Sequence, residues 1–171
     1  MRPTARALAL LGAAALGLCG TTAAYAAPTV SASGAGTLVV DVGKRHFSFS
    51  AKQSPDGTVT GQAVLTNSSF TGENGTSPYK LHLDISCIKR FDNNIVYFGG
   101  TTKRTNDPNL VDAAFFAVQD NGEPGKGVDK LSRVFFWDDD PATTGDPQAC
   151  RFNEAGDFPL ETIETGNIQV K

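Results

Sequence analysis

The sequence predicts an all-β fold, a single-domain antiparallel β-sandwich or barrel stapled by one disulfide. Three observations carry that prediction. Apolar and polar residues alternate with period two in segment after segment, with Thr, Val and Phe plentiful inside them and Gly, Asn, Asp and Pro between them. An N-terminal stretch with the layout of an export signal leaves two cysteines behind it, Cys87 and Cys150, which an oxidising compartment pairs. No long helical periodicity follows that stretch.

Met1, Arg2 and Arg6 form a basic start, residues 7–18 are an apolar run, and small residues close it. This is the order of a secretory signal peptide. The run is shorter than the roughly 20 apolar residues a bilayer-spanning helix requires, so no membrane anchor is expected after cleavage. Ala24 and Ala26 provide the small side chains at -3 and -1, which divides the chain into a signal peptide at 1–26, a flexible linker at 27–36 and a secreted β domain at 37–171. Leu18 stands before Cys19, where a lipid-modified cysteine has a small residue.

The mature chain is then 145 of the 171 residues, enough for one core. It carries 13 basic and 18 acidic residues, a balance that argues against a nucleic-acid partner. A Cys87–Cys150 bridge would stabilise the fold by about 4 kcal/mol in the chain-entropy model. The competing role, Cys87 as a nucleophile with His82 as its base, is disfavoured because residues five apart on a regular strand face opposite ways.

Strands are predicted at 37–42, 44–51, 58–66, 79–87, 95–102, 111–120, 131–137 and 168–170. In 44–51, Phe47, Phe49 and Ala51 share the buried face, with His46, Ser48 and Ser50 opposite. In 79–87, Tyr79, Leu81, Leu83, Ile85 and Cys87 point inward, which would put the disulfide on the core side. Residues 111–118 are apolar on both faces, as suits a central strand covered twice. Ser54-Pro55-Asp56-Gly57, Glu73-Asn74-Gly75, Asn106-Asp107-Pro108-Asn109 and Asp120-Asn121-Gly122 supply turn chemistry. Residues 31–36, Ser-Ala-Ser-Gly-Ala-Gly, read as the linker.

Catalytic patterns are absent. Gly122-Glu123-Pro124-Gly125-Lys126-Gly127 lacks the spacing of a phosphate-binding loop, and His46 and His82, the two histidines, fall on predicted solvent faces. No cofactor is expected, with calcium as the exception to be weighed. Asp120, Glu123 and Asp129 surround the Gly-rich turn, and Asp138, Asp139 and Asp140 follow Trp137. Oxygen-rich loops of this kind suit calcium, although neither has EF-hand spacing, and solvated loop charges are the competing reading. Trp137 and Tyr97 are candidates for a carbohydrate platform, against ordinary core packing.

Read together, Ser33-Gly34-Ala35-Gly36-Thr37, His46-Phe47-Ser48-Phe49-Ser50, Asp120-Asn121-Gly122-Glu123-Pro124-Gly125 and Thr165-Gly166-Asn167-Ile168-Gln169-Val170 resemble the post-choice-of-anchor-P domain of secreted bacterial proteins. The resemblance covers nearly all of the mature chain and implies export and a β fold. It brings no catalytic residues. This chain departs from it in Cys87, Cys150 and the acidic stretch at 138–150.

The expected function is a secreted, non-catalytic binding or surface-associated module for an extracellular glycan or protein. The alternatives are an extracellular hydrolase using a carboxylate pair, such as Asp84 with Asp138 or Asp139, and a calcium-stabilised structural module. Export makes one direct prediction: N-terminal sequencing of the secreted protein should read Ala27-Pro28-Thr29, and secreted material beginning at Met1 would refute the processing site.

Overall fold

A computed structural model describes residues 29–40, 43–68, 79–106, 112–122, 128–136 and 145–171. The expected signal peptide lies outside the described residues, as do Glu123 and residues 137–140. Ten strands form one antiparallel sheet: β1 Ser31–Val40, β2 Gly43–Gln53, β3 Val59–Asn67, β4 Tyr79–Arg90, β5 Ile95–Thr105, β6 Ala113–Gln119, β7 Lys130–Ser132, β8 Phe135–Phe136, β9 Leu160–Thr162 and β10 Thr165–Val170. The order is β10-β1-β2-β3-β4-β5-β6-β7-β9, with β8 also on β6. Strands β1 to β7 are thus a meander, each beside its chain neighbour.

The ends of the order, β9 and β10, are consecutive pieces of one segment, so the sheet curls until its two ends meet. The main-chain bonds at the join run opposite ways: the Ile163 N–H donates to the Asp129 carbonyl and the Glu164 N–H to the Thr37 carbonyl. Beyond it, β10 pairs with β1 from Thr37↔Thr165 to Ala32↔Val170. Its other edge faces the β6–β7 connection, and there two aspartates take the place of a strand. Asp129 Oδ2 accepts the Ile168 N–H (2.8 Å) and Asp120 Oδ2 accepts the Val170 N–H (2.8 Å). Their second oxygens hold the connection itself: Asp129 Oδ1 accepts the Asn121 N–H (3.0 Å), and Asp120 Oδ1 the Gly122 N–H (2.8 Å). Asp129 is 0 % exposed, so both of its main-chain partners depend on it.

Inside the curl, alternation does what the sequence predicts. Phe47, Phe49 and Ala51 of β2, Ala63 and Leu65 of β3, and Leu81, Leu83 and Ile85 of β4 meet Phe98 and Phe116. Phe98 and Phe116 stack at 4.8 Å, and Phe49 lies across both.

A second core lies on the outside. The segment 145–160 folds back over the outer face of β4–β6, where Ala149, Cys150 and Phe158 cover Cys87, Tyr97, Ala113, Phe115 and Ala117. Strand β6 is therefore buried on both faces, as its continuous apolar run predicts. The disulfide joins β4 to this strap, with Cα atoms 6.1 Å apart. Gly99 makes the approach possible, because a Cβ there would collide with the Pro147 carbonyl oxygen. Tyr97 lies under the strap between Phe91 and Phe158, ring centroids 4.7 Å from each, and its hydroxyl accepts the Gly156 N–H (2.9 Å).

Four expectations need correction. The flexible linker at 27–36 is, from Ser31 onward, the first half of β1, paired on both edges; its small residues let β10 and the Phe49 ring close against it. The disulfide is not on the main core side, because a β-bulge between Ile85 and Cys87 resets the alternation and turns Cys87 outward. The same bulge removes the argument that His82 and Cys87 face opposite ways; what separates them is the bond to Cys150 and the strap over it. The single strand expected at 131–137 is two, β7 and β8, and the Ser132 hydroxyl fills the break by accepting the Ala117 N–H (2.8 Å) and donating to the Arg133 carbonyl (2.6 Å). Strand β9 was not anticipated.

Two predictions follow from the closures. Asp129→Ala strands the buried Ile168 N–H and frees the part-buried Asn121 N–H, and should cost about 3 kcal/mol in urea unfolding, whereas Asp120→Ala, at a half-buried position that water can reach, should cost about 1 kcal/mol. An unshifted midpoint for Asp129→Ala would show that the seam does not depend on it. Native protein should resist thiol alkylation until reduced, and Cys87→Ala/Cys150→Ala should lose about 2–5 kcal/mol; full alkylation of native protein would refute the staple.

Candidate functional site

The strap divides the outside of the sheet. It covers β6, the first part of β5 and the end of β4, while the outer face of β10, β1, β2, β3, the first part of β4 and the end of β5 stays uncovered among the described residues. Alternation fills that open face with polar side chains in rows running across the strands. One row is Gln169, Ser33, Ser50, Gln62, Asp84 and Thr101, read from β10 to β5. The next is Asn167, Ala35, Ser48, Val64, His82 and Arg104.

At the β5 end a second irregularity matters. His82 pairs with Arg104 but Leu83 with Thr102, so Lys103 is an extra residue in β5. Neighbours on a regular strand face opposite ways. Here the bulge leaves Lys103 and Arg104 both exposed on the open face, while Thr102 keeps its place inside. The two cations, with Gln62, Val64, His82 and Asp84, line a shallow depression of about 200 Å3. Lys103 Nζ stands 3.6 Å from Asp84 Oδ2, and both side chains remain about half exposed, so the pair is open to exchange with a ligand. The depression therefore offers cationic donors, an amide, an imidazole and a carboxyl acceptor on one rigid surface.

A second depression, of about 280 Å3, lies at the other end of the same face. It is lined by Ser31, Ser33, Ser50, Lys52, Gln169 and Lys171. Ser33 and Ser50 of this depression lie in the row that leads to Gln62 and Asp84 of the first.

The residues singled out from sequence are placed as follows. Asp120 and Asp129 are held by main-chain N–H groups at the seam, Glu123 lies outside the described residues, and no group of three His, Cys, Asp or Glu side chains able to hold a metal ion stands among the described residues. Cys87 and Cys150 form the disulfide. Tyr97 is buried under the strap at 1 % exposure, which overturns its use as a carbohydrate platform, and Trp137 lies outside the described residues. His46 and His82 both lie on the open face as predicted, on β2 and β4. Asp84 lies there too, with Lys103 as its charged neighbour; Asp138 and Asp139 lie outside the described residues, as do the turns at 73–75 and 107–109.

Sequence reasoning missed Lys103, Arg104, Lys52 and Lys171, and a signal was present for the first three. Residues 43–106 carry 8 Lys and Arg against 4 Asp and Glu, whereas residues 107–171 carry 5 against 13. Net charge over the whole mature chain conceals this segregation. Among the described residues, no helix is long and apolar enough to cross a membrane. No protein-family model, curated protein or solved structure matches the chain.

Proposed function

We propose that the protein is an extracellular, non-catalytic binding module that presents the open outer face of β10–β1–β2–β3–β4 to its ligand. The observation that carries this reading is the depression at the β5 bulge, where Lys103, Arg104, His82, Asp84 and Gln62 converge on an uncovered face. A surface of this kind is rigid, because its side chains stand on strands rather than loops. The buried core beneath and the disulfide at its flank fix its shape. Export agrees with the disulfide and with the layout of the first 26 residues. The family resemblance agrees with export and adds no activity.

The reading is tested by retention. The mature protein should bind to immobilised cell-envelope, matrix-glycan or secreted-protein fractions, and Lys103→Glu/Arg104→Glu should reduce retention at least about tenfold with an unchanged melting curve. Equal retention of the folded double variant would exclude this face.

A further inference from the structure

Resting on that binding reading, we infer that the ligand is an acidic polysaccharide, a chain of sugars bearing carboxylates, lying across the strands from the Lys103–Arg104 depression to the Lys52–Lys171 depression. The two depressions are at opposite ends of one row of side chains, and that row is the observation that joins them. From β5 to β1 there are four strand spacings, roughly 19 Å at about 4.8 Å each. Lys103 and Arg104 stand at the β5 end, and Lys52 on β2 and Lys171 after β10 bracket the β1 end, one on each side of it. Along the row Ser33, Ser50 and Gln62 offer hydroxyls and an amide, each able to donate and accept. Ser48 and Ala35 in the adjoining row are equally short, so a chain can lie down along the middle of the face without meeting a tall side chain.

This pattern selects among polyanions. Duplex DNA carries a negative charge about every 1.7 Å and is held by dense cationic contacts, whereas the cations of the track stand towards its two ends with neutral groups along it, and Lys44 and Lys80, exposed on the same face, lie in rows off the track. Single strands are held by stacking on exposed aromatics, and the exposed aromatic among the described residues is Phe152, at 81 % exposure on the strap side, away from the track. An anionic membrane surface calls for inserted apolar side chains, and the track is lined by polar ones apart from the half-buried Val64 and the small Ala35. A polyuronate has carboxylates spaced by sugar rings and hydroxyls in between, which suits cations at the ends and Ser, Gln and Asp84 along the way. Asp84 accepts from sugar hydroxyls when Lys103 turns from it to a carboxylate. On the covered side, the exposed Asp146, Glu154 and Asp157 of the strap repel the same polymer.

The experiment is titration calorimetry of the mature protein with oligogalacturonates of graded length, the fully methyl-esterified polymer, neutral dextran, a DNA duplex and phosphatidylglycerol vesicles. The expected result is binding of the acidic oligomers that strengthens with length until the chain spans about 19 Å, is abolished by esterification and weakens with salt. Lys103→Ala/Arg104→Ala and Lys52→Ala/Lys171→Ala should each weaken it about tenfold, and their effects should multiply because the sites are distant. Arg151→Ala, on the strap side, should leave it unchanged. Affinity independent of oligomer length, or insensitive to Lys52→Ala/Lys171→Ala, would overturn the spanning track. Tighter binding of DNA or vesicles would overturn the ligand class. Binding of dextran alone, or of no acidic oligomer while envelope fractions are still retained through Lys103 and Arg104, would overturn this inference and leave the binding face standing; loss of both would remove the face as well.

Discussion

Everything in this fold depends on how an open antiparallel meander disposes of its two edges. An unpaired strand edge is a row of N–H and C=O groups that must find partners or water. Here a single segment, 160–170, serves both ends of the sheet, pairing with β7 through its first part and with β1 through its second. The remaining edge of β10 would still face the β6–β7 connection with nothing to bond, and Asp129 and Asp120 accept its N–H groups at 168 and 170. A carboxyl side chain can do this where a strand cannot fit, because each of its oxygens accepts independently: one holds β10, the other holds the connection from which the aspartate itself projects. Acidity in this part of the chain therefore has a structural use before any ligand is considered.

Two bulges in neighbouring positions then decide what each face of the sheet can do. The bulge at Ser86 turns Cys87 outward, so that the disulfide anchors a strap on the outside instead of crossing the core. The bulge at Lys103 brings two consecutive cations to one side. Both act through the same geometry, an extra residue that shifts alternation by one. They flank the Leu83–Ile85 stretch of β4, and the result is an outer surface that is covered on one side of that stretch and polar and charged on the other. Gly100 and Gly99 stand opposite Ile85 and Cys87, on either side of the first bulge. Gly99 leaves room for the strap, and a Cβ at Gly100 would run into the Asp84 carbonyl, so the two glycines permit the close packing around that bulge.

How much of this could be read from the chain follows from which signals are local. Period-two alternation in 44–51 and 79–85, the doubly apolar run of β6 and the turn at Ser54–Gly57 are written in adjacent residues. They emerged with the expected faces: Gly57 adopts φ +85°, and the Thr58 N–H bond to Asp56 holds that carboxyl below its ordinary range. The low-complexity start of β1 was mistaken for a linker because small residues signal flexibility in isolation. Only the partner strands show that smallness here permits close approach; at Gly166, opposite it, φ is +112° and a Cβ would strike the Ala35 carbonyl. The bulges were not legible at all, since an inserted residue in a ladder has no signature without its partner strand, and one such residue overturns every facing assignment that follows it. The candidate site inherits that limit: His82 and Asp84 were placed on the right face, whereas Lys103 and Arg104, adjacent in sequence, would have been assigned to opposite faces by the same rule.

The two halves of the chain put their charges to different uses. Carboxyl groups gathered in 107–171 serve the seam at Asp120 and Asp129 and the strap at Asp112, whose Oδ1 accepts the Gly145 N–H (2.6 Å). The meander of β2 to β5 carries an excess of Lys and Arg, and alternation sends Lys44, Lys52 and Lys80 to the face that is not the core, while Arg45 stands on the core side in register with the buried Asn67. Some are then taken up by the covered side: Lys89 donates to the Arg151 and Asn153 carbonyls of the strap and lies 5.0 Å from the Phe91 ring centroid. Lys103, Arg104, Lys52 and Lys171 stay on the open side. Closure and surface are thus built on the same strands, because β10 and β1 form both the seam and part of the open face, and a substitution that moved the seam would alter that face as well as the stability of the fold.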